Sequence, residues 1–217
     1  MRSMNGEEGL EAIGERIRAE LAAKYGAREK ALPLAREVIR FSANGIRAIH
    51  REEFELAREL LEKAREALAK ASAALSEHAD IFYAGFIFDA QKEYAEGRAT
   101  LALVAGERLP SPEDLGVGNA AYLNGLGEAV GELRRHLLDQ VRLGEMDRGE
   151  SLLMRMDDIY TLLVTMDFPD AMTGGLRRTT DVVRGILEKT RGDLTVTLRQ
   201  SRLERSLADF EGRVKGQ

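Results

Sequence analysis

Glu93 and Glu96 stand three residues apart in QKEYAEG, residues 91–97. The surrounding FYAGFIFDAQKEYAEGRATLALVAG is mostly apolar and has helical periodicity. Positions i and i+3 are neighbours on a helix surface, so both carboxylates border the face that the apolar residues bury. A second pair, Glu128 and Glu132, lies four apart in YLNGLGEAVGELRR and again shares one face. Gly125, Gly127 and Gly131 surround it. Each glycine costs a helix about 1 kcal/mol relative to alanine. Two like charges at i,i+4 add a few tenths of a kcal/mol. Three glycines in so short a segment predict close approach of another helix, with contact at Gly127 or Gly131. If the two helices pack together, four carboxylates converge, and unpaired charges there are very costly. Protonation, arginine pairing or a metal would offset that cost. Oxygen-only ligands favour Mg²⁺, Mn²⁺ or Ca²⁺ over zinc. Two such ions about 4 Å apart suit phosphodiester hydrolysis. The bland alternative is two solvated helix faces, the usual outcome for a single glutamate pair.

Other chemistries lack their residues. The chain has no cysteine, which removes disulfides, thiolate metal sites and cysteine nucleophiles. A di-iron bundle wants Glu-x-x-His on two helices. Here Glu93 is followed by Glu96, Glu132 is followed by Arg135, and His136 falls at the wrong offset. His50 and His78 read as surface or helix-end residues. No phosphate-binding loop, dinucleotide fingerprint or nucleophile elbow is present.

The elements that must position the acids read as helices almost throughout. The 217 residues include only four prolines. Periodicity predicts helices over about 6–25, 27–50, 52–77, 79–106, 119–143, 147–167 and 176–210. Gly26, the Pro110–Pro112 loop and the Pro169–Gly175 stretch serve as breaks. LTVTL at 194–198 alternates but lies inside a helical run and reads as helix. The expected fold is one all-α domain over 1–217, with 1–26 an N-terminal helical extension. The third and last helices carry apolar surface beyond what one subunit needs, which predicts a homo-oligomer. No stretch reaches the roughly 18 apolar residues of a membrane helix. The N-terminus is charged and amphipathic rather than a signal peptide, so a cytoplasmic location is expected.

Net charge is −5, yet residues 174–217 carry ten Lys and Arg against six Asp and Glu. A local basic face can therefore meet a polyanion despite the acidic total. Candidate phosphate contacts are Arg40, Arg47 and Arg51 on one helix face, and Arg177, Arg178 and Arg184 at the start of the last helix. Arg134 and Arg135 follow the second acidic pair. No aromatic residues interleave with these, so base stacking is not expected.

QKEYAEG and YLNGLGEAVGELRR resemble the two signature stretches of the translin/Trax family. IRFSANGIRAIHR resembles that family's first core helix, and GLRRTTDVVRGILEKTRGDL its C-terminal helix. The resemblance spans about residues 27–200. It implies a translin-like bundle of seven helices assembled into a hollow, closed octamer or hexamer. It implies binding of single-stranded RNA or DNA and, in Trax subunits, a metal-dependent endoribonuclease site of clustered acids. Those acids fall on Glu93, Glu96, Glu128 and Glu132, which makes the chain Trax-like and similar to a compact archaeal member. Two departures stand out. Glu128 replaces the usual Asp, and a shift of about 1 Å in a reacting group can cost a hundredfold in rate. IFYAGFIFDA replaces the aromatic, basic stretch that translin carries before the first acids. The expected function is binding of single-stranded RNA and its cleavage with Mg²⁺ or Mn²⁺. The alternative is a single-stranded nucleic-acid-binding module without catalysis.

Overall fold

A computed structural model describes residues 9–82 and 85–215, and every regular element among them is helical. The long elements are α1 (Leu10–His50), α2 (Phe54–Ala74), α4 (Gly85–Ala105), α6 (Asn119–Arg142), α7 (Met146–Val164) and α9 (Leu176–Lys215). Three single-turn helices join them: α3 (Ala79–Phe82), α5 (Pro112–Leu115) and α8 (Asp170–Thr173). LTVTL lies within α9, as helix. Residues 1–8 of the expected N-terminal extension, and 83–84 of IFYAGFIFDA, lie outside the described residues.

The expected break at Gly26 does not occur. α1 continues through Gly26 and Pro33 for 41 residues. Beyond Pro33, Ala35, Val38, Ser42, Ile46 and Ile49 recur on one buried face, and α1 packs along α2. That packing outweighs the local cost of one glycine and one exposed proline.

α4 is the central element. Thirteen of its 21 residues are buried, against α1, α2 and α6. This explains its nearly continuous apolar sequence, in which the two glutamates stood out. Leu61 of α2 lies so close to Gly97 that an added Cβ there would come within 2.7 Å of it. The apolar residues of α2 are spent in this way: Ala57, Leu61, Ala64 and Leu68 are all core. On this helix Leu56 is left exposed, and further exposed apolar surface lies on Leu10, Ile17 and Leu21 of α1. On α9 it lies on Val196, Leu203, Leu207 and Phe210, all exposed.

Candidate metal centre

α4 and α6 cross where the second acidic pair sits, and the crossing point is Gly125. A Cβ at Gly125 would stand 2.7 Å from the Lys92 carbonyl oxygen and 3.0 Å from the Glu96 nitrogen. The contacts expected at Gly127 or Gly131 are not there. Gly127 instead admits Thr179 of α9, whose Cγ2 would lie 2.3 Å from an added Cβ, and nothing approaches Gly131 within 4 Å. The glycines therefore serve two different neighbours. Gln91 adds a polar tie: its Oε1 accepts from the Gly118 N–H, 3.2 Å away, at the start of α6.

This crossing brings Glu93, Glu96 and Glu128 together, with one carboxylate oxygen of each within 4.8 Å of the others. They line a cleft of about 900 Å³ whose other wall is the start of α9, including Arg178 and Thr179. Asn124 fixes that wall. It donates to the Thr173 carbonyl at 2.8 Å and accepts from the Thr179 hydroxyl at 2.6 Å.

The fourth acid, Glu132, is set apart. Its Oε2 meets Nε2 of His50 at 2.5 Å, at the last residue of α1. The His50 side chain is only 4% exposed, so of the two positions expected for it, surface or helix end, it takes the helix end. Sequence alone gave no signal for this pair, because 82 residues separate its members. Lys92 was also overlooked, although it adjoins Glu93. Its Nζ lies 2.6 Å from Glu128 Oε1, making it the cluster's own counter-cation.

Electrostatics divide the acids. Burial, reinforced by Glu93, Glu128 and Glu132, pushes the Glu96 carboxyl up to about 8. Burial and Glu128 also raise Glu93. The hydrogen bond from His50 lowers Glu132. One ammonium and one retained proton are how the chain offsets the convergence of carboxylates.

The sign of the resulting pH effect follows. Between the ordinary value of 4.5 and about 8, folded Glu96 holds a proton that the unfolded chain has released. Its contribution to stability is full below that window and is lost as pH rises through it. Glu132 acts oppositely, losing its contribution as pH falls. The metal-free protein should therefore melt at lower temperature as pH rises from about 5 to about 8. Glu96→Gln should flatten that trend in a calorimetric pH series. An unchanged slope in the variant would show that Glu96 is not the group responsible.

The arginines are mostly engaged elsewhere. Arg134 donates to Thr190 Oγ1 and pairs with Asp193 of α9 at 2.7 Å. Arg51 pairs with Glu53, Arg184 with Asp181, and Arg40 with Glu37. Arg177 lies 3.9 Å from Asp167, and Arg47 donates to Asn44. Arg135 is exposed, and its charge helps to lower Glu132. Of the eight expected phosphate contacts, Arg178 is the one that lines the cleft with the acids.

No protein-family model matches the chain. An uncharacterized protein of Methanocaldococcus jannaschii is 30% identical over 188 residues, covering 86% of this chain and 83% of that protein. The structure of AfC3PO in a complex with duplex RNA, from Archaeoglobus fulgidus, superposes with a TM-score of 0.80 at 36% identity. It covers 87% of this chain and 97% of that one. The crystal structure of AfC3PO gives 0.79 at 37% identity, over 87% and 98%. Apo-NeC3PO gives 0.76 over 88% and 100%, and at 20% identity this likeness speaks to the fold alone.

Proposed function

Because the chain belongs to the translin/Trax family of C3PO proteins, we propose that it binds single-stranded RNA and cleaves it as a metal-dependent endoribonuclease. The observation that carries this reading is the cluster of Glu93, Glu96 and Glu128, with one carboxylate oxygen of each within 4.8 Å of the others, in the lining of a cleft of about 900 Å³. The RNA partner is supported by the complex of AfC3PO with duplex RNA.

The donor set fits a hard divalent cation. It is all oxygen, its charges repel, and the resident cation, Lys92, contacts only Glu128 among them. Glu93, Glu96 and Glu128 would hold Mg²⁺ or Mn²⁺, with Glu132 adjoining. Such an ion lowers the pKa of a bound water and offsets charge on the phosphate. The protein's own groups do the rest. Arg178 lines the same cleft as the acids and would hold a phosphate of the strand. Lys92 would turn from Glu128 toward the RNA backbone once the carboxylates have another partner.

The cleaving unit would be a closed homo-oligomer, octamer or hexamer, acting in the cytoplasm. The exposed apolar rows on α1 and α9 are the surfaces an assembly would cover. No helix of the described residues is long and apolar enough to cross a membrane.

The test is a fluorescent single-stranded RNA incubated with the purified protein, with Mg²⁺, with Mn²⁺ and with EDTA. Cleavage that requires the metal is expected, from a particle several times 24.0 kDa by light scattering. Salt-sensitive binding with no cleavage under any metal would leave the binding-only role, the alternative reading.

A further inference from the structure

His136 is a buried residue with no part in the acidic cleft. It is 3% exposed on α6, and its imidazole has no hydrogen-bond partner among the described residues. A buried polar group left unsatisfied costs about 1–3 kcal/mol. Packing alone would favour an apolar residue, as at Leu133 and Leu137 on the same helix. His136 lines a cavity of about 240 Å³ between the end of α4 and the start of α7, which shares no lining residue with the cleft. Arg148, Ser151 and Arg155 line it from α7. Steps of three and four place them on one face of that helix. Neither arginine has an ion pair or hydrogen bond among the described residues, and no carboxylate lines the cavity. Arg148 also stands in the first turn of α7, where the helix dipole disfavours a cation. Two guanidinium groups, a hydroxyl and an imidazole therefore border one cavity with no protein anion to receive them.

We propose that this cavity binds a phosphate monoester, held by Arg148 and Arg155, with hydrogen bonds from Ser151 and His136. Guanidinium forks match phosphate oxygens two at a time. A monoester carries about −1.5 to −2 charges near pH 7, which two arginines balance better than they do the single charge of an internal phosphodiester. Burial, with the charges of His50 and Arg148, holds His136 below its ordinary value. The uncharged ring then has one N–H to donate and one nitrogen to accept. The last main-chain carbonyls of α4 lack helical partners and can accept from the hydroxyls of an attached ribose. The cavity is smaller than the roughly 300–1,000 Å³ of sites for drug-sized ligands, so it suits a phosphate with part of its sugar rather than a length of strand. Hydrolysis of a phosphodiester leaves a monoester on one product end. The same chemistry therefore arrives as the terminal phosphate of cut RNA or as a free nucleotide. The binding site stands apart from the ribonuclease reading, and only cut RNA as its source rests on that reading.

The test is a calorimetric titration of the metal-free protein, in EDTA, with inorganic phosphate at constant ionic strength. The wild type should bind it. Arg148→Gln and Arg155→Gln should each weaken binding at least about tenfold, a tenfold loss being about 1.4 kcal/mol. Arg178→Gln should leave it intact, since Arg178 belongs to the acidic cleft. His136→Leu separates binding from packing. It should raise the melting temperature of the phosphate-free protein, by removing an unsatisfied group, and weaken phosphate binding by a similar factor. A residue that only packs would not move the two in opposite senses. If His136→Leu does not fold, the arginine variants on the surface of α7 still decide the question. No binding at millimolar phosphate would overturn the proposal, as would wild-type binding by the Arg148→Gln, Arg155→Gln double variant or loss of binding in Arg178→Gln. Adenosine 5′-monophosphate and a short RNA with a terminal phosphate, each beside its counterpart without the phosphate, distinguish the two sources. Tighter binding of either phosphorylated form identifies the occupant, and no gain from the phosphate in both would overturn the assignment to a monoester.

Discussion

Glu128→Gln should reduce RNA cleavage by at least about a hundredfold, the scale seen when a group that stabilises charge in the transition state is removed. The substitution keeps the shape and removes one anion from a set whose oxygens lie within 4.8 Å. Metal affinity should fall with it. Binding of single-stranded RNA should persist or tighten, because one repulsive charge is gone and Lys92 is freed from its 2.6 Å contact with Glu128. The consequence for stability differs from what the i,i+4 spacing predicts. Spacing alone makes loss of Glu128 a relief for Glu132. In the structure Glu132 is turned to His50 and Glu128 is paired with Lys92. The gain from reduced repulsion on Glu96 is therefore set against a lost partner for Lys92, and little net change in melting temperature is expected. The measurement is a single-turnover cleavage assay beside a binding titration. Wild-type cleavage by the variant, with contaminating nuclease excluded, would remove Glu128 from the site.

The second large effect concerns the crossing rather than the acids. Gly125→Ala should destabilise the protein, by about 1–3 kcal/mol of overpacking less the roughly 1 kcal/mol that alanine gains in a helix. The obstacle is backbone: the Lys92 carbonyl oxygen at 2.7 Å and the Glu96 nitrogen at 3.0 Å cannot rotate away as a side chain could. α4 and α6 must move apart, and Glu128 then moves away from Glu93 and Glu96. Metal affinity should drop together with stability. Gly131→Ala is the control on the same helix. Nothing lies within 4 Å of its added Cβ, so it should gain up to about 1 kcal/mol with no loss of activity. Urea melts of the two variants should move in opposite directions. Equal shifts would mean that the crossing tolerates a methyl group and that Gly125 does not set the distance between the acids.

Much of this protein was determined locally and could be read from the chain. Helical periodicity is a property of neighbouring residues, so the helix around the second acidic pair was legible to within a residue at each end, whereas the one around the first, expected from 79, is α4 from Gly85 with the short α3 before it. The two pairs of glutamates and the dense glycines of α6 announced a close helix crossing for the same reason: each carries a local cost that only a tertiary contact can repay. Which glycine makes that contact was not legible. Gly125, Gly127 and Gly131 have the same intrinsic cost, and only the direction in which each faces separates α4, α9 and open space. The continuation of α1 through Gly26 and Pro33 also depended on tertiary packing, because the buried face beyond Pro33 exists only once α2 lies against it. The division of the four acids came from the tertiary structure too. Nothing in the spacing of Glu128 and Glu132 says that one meets Lys92 of α4 and the other meets His50 of α1. Burial, Lys92 and His50 assign one carboxylate a proton, one an ammonium and one an imidazole, and these are long-range contacts that a chain acquires only when it folds.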